Sequence, residues 1–280
     1  MKKISRRSFL AAAGLSVAAL ALTACGGSSS SVASSVASSA AASSEAASTS
    51  AAAGELTTVE AGKLTMATNA TFPPYEMTTD AGDIEGIDVE TAQAIADKLG
   101  LELQIDDMDF DAALLSVQQG KADIVMAGVT VTDERKAVMD FSDSYATGIQ
   151  SIIVPEGSDI ASPDDLAGKK IGTQRGTTGY IYCSDDFGDD NVVAYDDGLT
   201  AVQALNNGQV DAVVIDNAPA QEFIAANPGL VILDTSYAEE DYAIGMAKNS
   251  PLEDAVNSVL EELKADGTLQ AIVDKYITAE

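Results

Sequence analysis

The chain has 280 residues, and its 44 Asp and Glu against 15 Lys and Arg give a formal net charge of −29. So acidic a chain lacks the basic face that binding to nucleic acid or to anionic lipid requires. The sequence contains no His and two Cys, which excludes a His-based catalytic triad, a His-ligated metal and a cysteine-built zinc cluster or disulfide framework. We therefore expect no cofactor, no metal and no nucleic-acid partner.

Residues 1–24 are typical of a secretion signal. A basic start that includes Arg6 and Arg7 precedes an apolar run over residues 9–22, which is too short to span a bilayer. The run leads into Leu-Thr-Ala-Cys at residues 22–25, which resembles a bacterial lipobox and predicts that Cys25 is lipidated. The alternative is a plain signal in which Cys25 is incidental. Residues 5–10 also resemble a twin-arginine export motif, which leaves the export route open.

Residues 25–56 are predicted to form a tether. Residues 26–54 are almost entirely Ser, Ala, Gly and Thr, and such a segment buries too little apolar surface to offset its ordering entropy. A flexible segment of this length reaches on the order of 30 Å. We expect a globular domain held by a lipid anchor on the extracytoplasmic face of the cell membrane.

From residue 63 onward, patterns typical of strands and helices alternate. Apolar runs at residues 64–68, 101–105 and 124–126 predict strands. An apolar helical face that Gly100 closes predicts a helix up to residue 99, and a second helix is predicted at 112–119. This alternation indicates an α/β fold with mostly parallel sheets covered by helices.

Two segments of the chain echo each other and indicate two lobes. Residues 120–126 (GKADIVM) match residues 208–214 (GQVDAVV), and a Gly-Lys pair opens a strand at 62 and again at 168. We predict one lobe from residues 57–148 plus 242–280 and a second from 149–241. Strand-like runs at 149–154 and 242–247 are the expected crossings between the lobes. Since ligands bind beyond the carboxyl ends of strands in open α/β sheets, we expect a cleft where the lobes face each other.

Five segments, in order, are similar to a known family. They are residues 67–76 (ATNATFPPYE), 86–99 (GIDVETAQAIADKL), 127–135 (AGVTVTDER), 174–178 (QRGTT) and 214–216 (VID). Together they resemble the extracellular solute-binding proteins, family 3, which deliver polar amino acids to ABC importers. The resemblance implies a two-lobed, type II periplasmic-binding-protein-like fold with a two-strand hinge. It also implies a monomer that binds an amino acid, partners an ABC permease and is not an enzyme.

The expected site holds a zwitterion, which needs a fixed cation and a fixed anion. Arg135 suits the ligand carboxylate because guanidinium binds carboxylate bidentately, and the resemblance assigns Asp216 to the ligand ammonium. The remaining candidates are hydroxyl or N–H donors, a backbone carbonyl, apolar walls and two side-chain-facing amides. These are Thr130, Thr177 and Thr178; Gly128; Phe72 and Phe110; and Asn69 and Gln174.

Each main candidate also has a structural interpretation. Arg135 is placed to pair with Asp133 or Glu134 in its own helical turn, and Asp216 is placed to cap a helix. Asn69 is also suited to capping its own loop. Because Asn69 and Gln174 carry no charge, we predict a neutral ligand, with glutamine first and asparagine, serine or cystine behind it. A glutamate-like acid becomes an option if Arg175 turns inward.

Two other functions and one other site compete with this interpretation. The first function is an enzyme on the same scaffold, since some cyclohexadienyl or arogenate dehydratases resemble this family. The second is the sensor input of a signalling partner. The acidic segment 185–197 raises the further option of a calcium site, but its spacing fits no regular loop of oxygen ligands, and a solvated acidic loop is favoured.

Overall fold

The computed structural model describes residues 56–277. The predicted signal, the lipidation site at Cys25 and the tether up to residue 55 lie outside the described residues. Over the described range, none of the helices has the length and apolar character needed to cross a membrane.

Strands and helices alternate along the described chain, as the sequence pattern predicts. In chain order the strands are β1 (Lys63–Thr68), β2 (Thr71–Phe72), β3 (Glu76–Thr78), β4 (Ile84–Glu85), β5 (Glu102–Asp107), β6 (Ile124–Val125), β7 (Met139–Phe141), β8 (Ala146–Pro155), β9 (Ile171–Gln174), β10 (Val192–Tyr195), β11 (Ala212–Asp216), β12 (Leu230–Ile232), β13 (Ala238–Tyr242) and β14 (Gly245–Ala247). The α-helices are α1 (Ile87–Leu99), α2 (Phe110–Gln118), α3 (Asp133–Val138), α4 (Thr178–Phe187), α5 (Gly198–Asn206), α6 (Asn217–Ala226), α7 (Glu253–Ala265) and α8 (Thr268–Tyr276). Short 3-10 turns lie at Pro163–Leu166 and Asp189–Asn191.

Each lobe is built on a mixed sheet. The first has the order β5-β1-β6-β14-β7, and the second has the order β10-β9-β11-β8-β12 with β13 also paired to β8. In each sheet three neighbouring strands are parallel, as predicted, but the others run antiparallel. The expectation of mostly parallel sheets is corrected here. Strands β8, β13 and β14 enter without the crossover helix that parallel pairing needs, so they are free to pair antiparallel.

Helices cover both faces of each sheet. In the first lobe α1, α7 and α8 pack on one face and α2 on the other. In the second lobe, Val213 and Ile215 of β11 point towards α5 and α6, whereas Ala212 and Val214 point towards α4. Burial on both faces explains why the central strands are nearly continuous apolar runs. The thiol of Cys183 lies buried in the α4 face.

The sequence echo between the lobes has a structural counterpart. Asp123 accepts the Thr65 N–H at 2.8 Å through its carboxylate, and its own N–H donates to the Thr65 carbonyl at 2.9 Å. Asp211 makes the same reciprocal pair with Lys170, at 2.7 Å in each direction. Asp123 therefore fastens the turn before β6 to strand β1, and Asp211 fastens the turn before β11 to the start of β9.

Two neighbouring strands form the crossing between the lobes. β8 begins at Ala146, a few residues ahead of the predicted boundary, and pairs antiparallel with β13 so that Ala146 lies opposite Tyr242. The run at 242–247, predicted as one strand, is divided: β13 belongs to the second sheet and β14 to the first. The loop after β6 is fastened to this crossing, because the Val131 N–H donates to Asp241 and the Ala243 N–H donates to Val129.

Candidate functional site

A narrow cavity lies between the two lobes, and the volume within it that water-sized molecules can occupy is about 20 Å³. All ten residues named from the sequence line it. They are Asn69, Phe72, Phe110, Gly128, Thr130, Arg135, Gln174, Thr177, Thr178 and Asp216. Six further lining residues were not predicted: Glu76, Ala127, Gln150, Val214, Ile215 and Tyr242.

The carboxyl ends of parallel strands bring these residues together. Asn69 follows β1 and Gly128 follows β6 in the first lobe, while Gln174 ends β9 and Asp216 ends β11 in the second. Parallel neighbours end at the same edge of a sheet, and the two edges face each other here. The topology therefore explains why loops far apart in sequence meet in one cavity.

Arg135 is buried in the wall of this cavity and bonds to both lobes. Its guanidinium donates to the Thr130 carbonyl at 2.8 Å and to the Gly176 carbonyl of the second lobe at 3.1 Å. It also lies 5.4 Å from the centre of the Phe110 ring, within cation–π range. Burial lowers the pKa of Arg135, but an arginine stays protonated in proteins. These carbonyl partners replace the pairing within its own helical turn, and the remaining N–H groups suit a carboxylate.

Asp216 combines the two roles considered for it on different oxygen atoms. Its Oδ1 accepts the Ala218 N–H at 3.2 Å and so caps α6. Its Oδ2 accepts the Ile149 N–H at 2.9 Å and the Tyr242 hydroxyl at 2.6 Å. The side chain is buried, and burial raises the pKa of Asp216 to about 6 although these donors pull it down. The carboxylate is thus ionised at neutral pH and suited to a cationic ammonium group.

The three threonines are not equivalent. Thr177 caps α4, where its hydroxyl donates to the Gln174 carbonyl at 2.8 Å and accepts the Tyr180 N–H at 3.3 Å. The Thr130 hydroxyl donates to the Glu240 carboxylate at 3.0 Å, and the Thr178 hydroxyl oxygen lies 3.5 Å from the Thr130 hydroxyl oxygen. The hydroxyls of Thr130 and Thr177 are therefore bonded within the protein. Thr178 and the N-terminus of α4 remain the better donors for an anion.

The aromatic side chains of the cavity form a connected wall that comes very close to Gly128. Phe72 stacks on Tyr75 at 6.0 Å between ring centres, and Tyr75 meets Tyr242 edge-on at 5.4 Å. Gly128 has a φ of +56°, and a Cβ there would lie 2.9 Å from the Phe72 ring and 3.2 Å from Tyr242. Glycine is required because both the backbone angle and the rings leave no space for a side chain.

The two amides expected to face the ligand side chain bond to each other across the lobes. The Gln174 side-chain amide donates to Asn69 Oδ1 at 2.8 Å, and this oxygen also accepts the Thr71 hydroxyl at 3.0 Å. The Asn69 amide nitrogen donates to the Met108 carbonyl at 3.0 Å. All three bonds of the Asn69 side chain are to protein groups, but only the one from Thr71 lies within its own loop. A neutral ligand preference based on these two amides loses much of its support.

Glu76 is one of the six cavity residues that the sequence did not single out. Its side chain is 0% exposed, and neither carboxylate oxygen accepts a hydrogen bond from an N–H or hydroxyl group in the part of the chain that the structure describes; the Asp88 carboxyl group is its polar neighbour. Burial raises the pKa of Glu76 well above its ordinary value, and the negative charge of Asp88 raises it further. One Glu in a chain with 44 acids carries no local mark of burial. Its position directly after Pro-Pro-Tyr in a quoted motif was the available signal.

Arg175 lies outside the cavity lining, with its side chain 53% exposed. It is 3.7 Å from the Asp196 carboxylate and donates weakly to the Ala194 carbonyl at 3.4 Å. The condition for a glutamate-like ligand, an inward-turned Arg175, is not met. Across residues 56–277, no three acidic or thiol side chains gather in a way that would hold a metal ion.

Comparisons with known proteins identify the family of this chain. Residues 64–279 match the model of the bacterial extracellular solute-binding proteins, family 3. The L-cystine-binding protein TcyJ of Escherichia coli is 34% identical over 79% of this chain and 85% of its own length. The arginine-binding extracellular protein ArtP of Bacillus subtilis is 34% identical over 78% and 87%. A solved structure of an ancestral arginine-binding protein bound to glutamine is 41% identical over 79% of this chain and 100% of its own, with a TM-score of 0.75. The chain belongs to the bacterial extracellular solute-binding proteins, family 3.

Proposed function

We propose that this protein captures a free polar amino acid in the cavity between its lobes and delivers it to an ABC importer. The observation that carries the proposal is that Arg135 and Asp216, of opposite charge, line one buried cavity. A zwitterion offers the matching pair of charges, and each buried charge needs a partner. The relatives named above bind arginine and cystine, which supports an amino acid as the ligand class.

In this proposal each end of the zwitterion has its own partners. The ligand carboxylate meets the free N–H groups of Arg135, the Thr178 hydroxyl and the N-terminus of α4. The ligand ammonium meets Asp216 and the backbone carbonyl of Gly128. Because Arg135 and Gly128 belong to the first lobe, and Thr178 and Asp216 to the second, the ligand joins the two lobes when it binds.

We infer that the preferred side chain is cationic, of the arginine type. Glu76 lines the cavity as a buried carboxyl group that accepts no hydrogen bond from an N–H or hydroxyl group over residues 56–277, and a guanidinium or ammonium would satisfy both its bonding and its charge. This replaces the glutamine preference that the sequence suggested, because Asn69 and Gln174 bond mainly to protein groups.

A neutral amide ligand of the glutamine type is the second candidate, and Glu76 is again the reason. If Glu76 is protonated, its hydroxyl is a donor for the carbonyl oxygen of a ligand amide. The ancestral relative is an arginine-binding protein whose structure was solved with bound glutamine, so the two ligand types are compatible within this family.

The remaining parts of the proposal concern the whole chain. We propose a lipid anchor at Cys25, an extracytoplasmic location, a monomeric state and no catalytic activity. A dehydratase needs a general acid or base that acts on the substrate. The buried acids of this cavity match the charges of an amino acid, and the relatives named above are binding proteins.

Thermal shift followed by calorimetry tests this proposal, because a ligand that binds only the folded state raises the melting temperature. The ligands are arginine, lysine, glutamine, cystine and citrulline, which resembles arginine in length without its charge. We expect arginine to bind about a hundredfold more tightly than citrulline, since a buried charge pair contributes a few kcal/mol. Tighter binding of glutamine or citrulline than of arginine would overturn the cationic assignment. A melting temperature that no amino acid changes would overturn amino-acid binding itself.

A further inference from the structure

Glu76 and Asp88 are two carboxyl groups buried against each other beside the cavity. Both side chains are 0% exposed. The Ile87 and Asp88 N–H groups donate to the Pro74 and Tyr75 carbonyls at 3.1 and 2.9 Å, which fastens the start of α1 to the segment that leads into β3. Gly86 makes this approach possible, because a Cβ there would lie 2.1 Å from the Tyr75 carbonyl oxygen. The close backbone contact therefore places Glu76 beside Asp88.

We propose that Glu76 carries a proton when the cavity is empty, and that a cationic ligand side chain displaces this proton into solvent as it binds. This inference rests on the proposed function and adds to it how the same cavity distinguishes ligand charge. A neutral side chain leaves the proton on Glu76.

The surroundings decide which of the two groups holds the proton. Asp88 accepts the Tyr145 hydroxyl at 2.7 Å and the Gly128 N–H at 3.0 Å, and both bonds stabilise its charged form. Glu76 has no such donor in the described residues, so its charged form lacks any compensation there. Two like charges in one buried site do not both ionise readily, and the proton therefore stays on Glu76.

Two other carboxyl groups face Glu76, Asp88 at the start of α1 and Asp107 at the end of β5, and their negative charges make its ionised form less favourable. The hydroxyls of Tyr75 and Tyr145 also face it, but burial raises the pKa of both, so they are uncharged near neutral pH. Burial and these acidic neighbours raise the pKa of Glu76 well above its ordinary value, whereas the pKa of Asp88 rises only to about 6. The direction of both shifts agrees with the assignment from burial and hydrogen bonding.

The charge balance of the exchange is simple. When a guanidinium with one positive charge enters, the O–H bond of Glu76 breaks and the proton goes to solvent. The carboxylate that remains pairs with the guanidinium, and because their charges cancel, the net charge beside Asp88 is the same before and after binding. When an amide enters instead, the O–H group donates to its carbonyl oxygen and no proton leaves.

This exchange predicts opposite pH responses for the two ligand types. Below the pKa of Glu76, a cation binds only after the proton has left, so affinity for arginine falls about tenfold for each unit of pH decrease. Affinity for a neutral ligand does not change with the state of Glu76 in this way. Asp216 has a pKa of about 6, so it is almost fully ionised at pH 7.5 and contributes little to the pH dependence near that pH.

Calorimetric titration with arginine at pH 7.5, in phosphate and in Tris, measures the protons released, because the two buffers differ in ionisation enthalpy. We expect wild-type protein to release about one proton per arginine. Glu76→Gln keeps the size and neutral state of the side chain, and we expect it to release none and to bind arginine about a hundredfold more weakly. Glu85→Gln, the same change on the neighbouring strand β4 and outside the cavity lining, should behave as wild type.

The outcomes separate this inference from the proposed function. Arginine binding without proton release in the wild type would overturn the exchange and leave arginine binding standing. Release that persists in Glu76→Gln would overturn the role of Glu76. Binding of neutral amino acids alone would overturn the cationic ligand, and the exchange with it, while amino-acid binding remained.

Discussion

The Tyr242 hydroxyl donates a 2.6 Å hydrogen bond to Oδ2 of Asp216. Tyr242 ends β13, one of the strands at the crossing between the lobes, and Asp216 is the proposed ammonium partner. The same carboxylate oxygen accepts the N–H of Ile149 in the other crossing strand, β8. Both crossing strands therefore hold the anion of the site, and both pair into the same sheet as the strand that Asp216 ends.

Tyr242→Phe removes this hydroxyl and keeps the ring in the aromatic wall. A hydrogen bond to a charged group contributes about 1.5–3 kcal/mol, so we expect at least a tenfold loss of affinity for amino acids. The bond also stabilises ionised Asp216, so the pH at which binding is half lost should move upwards in the variant. Tyr195→Phe is the control, because this tyrosine ends β10 and lies outside the cavity lining. Unchanged affinity and pH profile in Tyr242→Phe would remove this residue from the site.

Amino-acid binding should weaken below pH 6 through Asp216. Burial raises its pKa to about 6, and only the ionised form pairs with an ammonium group. Affinity therefore holds above this pH and falls about tenfold for each unit below it. Affinity is measured between pH 4.5 and 7.5 in the Glu76→Gln variant, because glutamine does not titrate and the ionisation of Glu76 then cannot contribute to the pH dependence. Adding Asp216→Asn should flatten this fall; a fall that persists would assign it to another group, with Asp88 the first to examine.

The two arginines beyond the predicted signal allow a matched comparison of the carboxylate partner. Arg135 is buried in the cavity wall, whereas the Arg175 side chain is 53% exposed beside Asp196. Loss of one partner from a buried charge pair costs roughly 2–5 kcal/mol, so Arg135→Ala should weaken binding about a hundredfold or more. Arg175→Ala should change it less than threefold, as expected for an exposed pair. Calorimetry on both variants measures this difference, and equal effects would contradict the assignment.

The sequence predicted the part of the site that local motifs and sheet topology determine. Asn69, Gly128, Gln174 and Asp216 each follow or end a strand whose apolar run is recognisable, so their meeting in one cavity was predictable. The match between Asp123 and Asp211 likewise reflects a repeated local motif.

The features that the sequence did not predict depend on contacts between distant segments. Glu76 is buried where the segment before it bonds to the start of α1, far along the chain from its own strand. Tyr242 enters the site because β13 pairs with β8, and antiparallel pairing of this kind leaves no local signal. The division of the run at 242–247 between two sheets has the same origin, since an apolar segment buried in either lobe has the same composition.

Anchoring depends on Cys25, which lies outside the described residues. Cys25→Ser should move the protein from the membrane fraction to the medium or periplasm, because the serine hydroxyl cannot accept the thioether-linked lipid. One acyl chain binds a membrane only marginally and two bind stably, so the wild-type modification should carry at least two chains. Fractionation and intact mass measure both points. A wild-type protein that is wholly soluble in its host, with Cys25 unmodified, would contradict the anchor.

Ligand binding should favour the closed arrangement of the lobes. Gln174 of the second lobe donates to Asn69 of the first at 2.8 Å, and Arg135 of the first donates to Gly176 of the second at 3.1 Å. A ligand that touches both lobes binds this arrangement in preference to one in which they are apart, so it shifts the population towards closure. Small-angle scattering should show a smaller radius of gyration at saturation than without ligand. Gln174→Ala removes one bond between the lobes and should weaken binding about fivefold to tenfold, in line with the loss of about 1 kcal/mol. Gln221→Ala, an exposed amide on α6, is the matched control and should leave affinity unchanged. A radius of gyration that is the same with and without bound ligand would show that binding does not close the cleft.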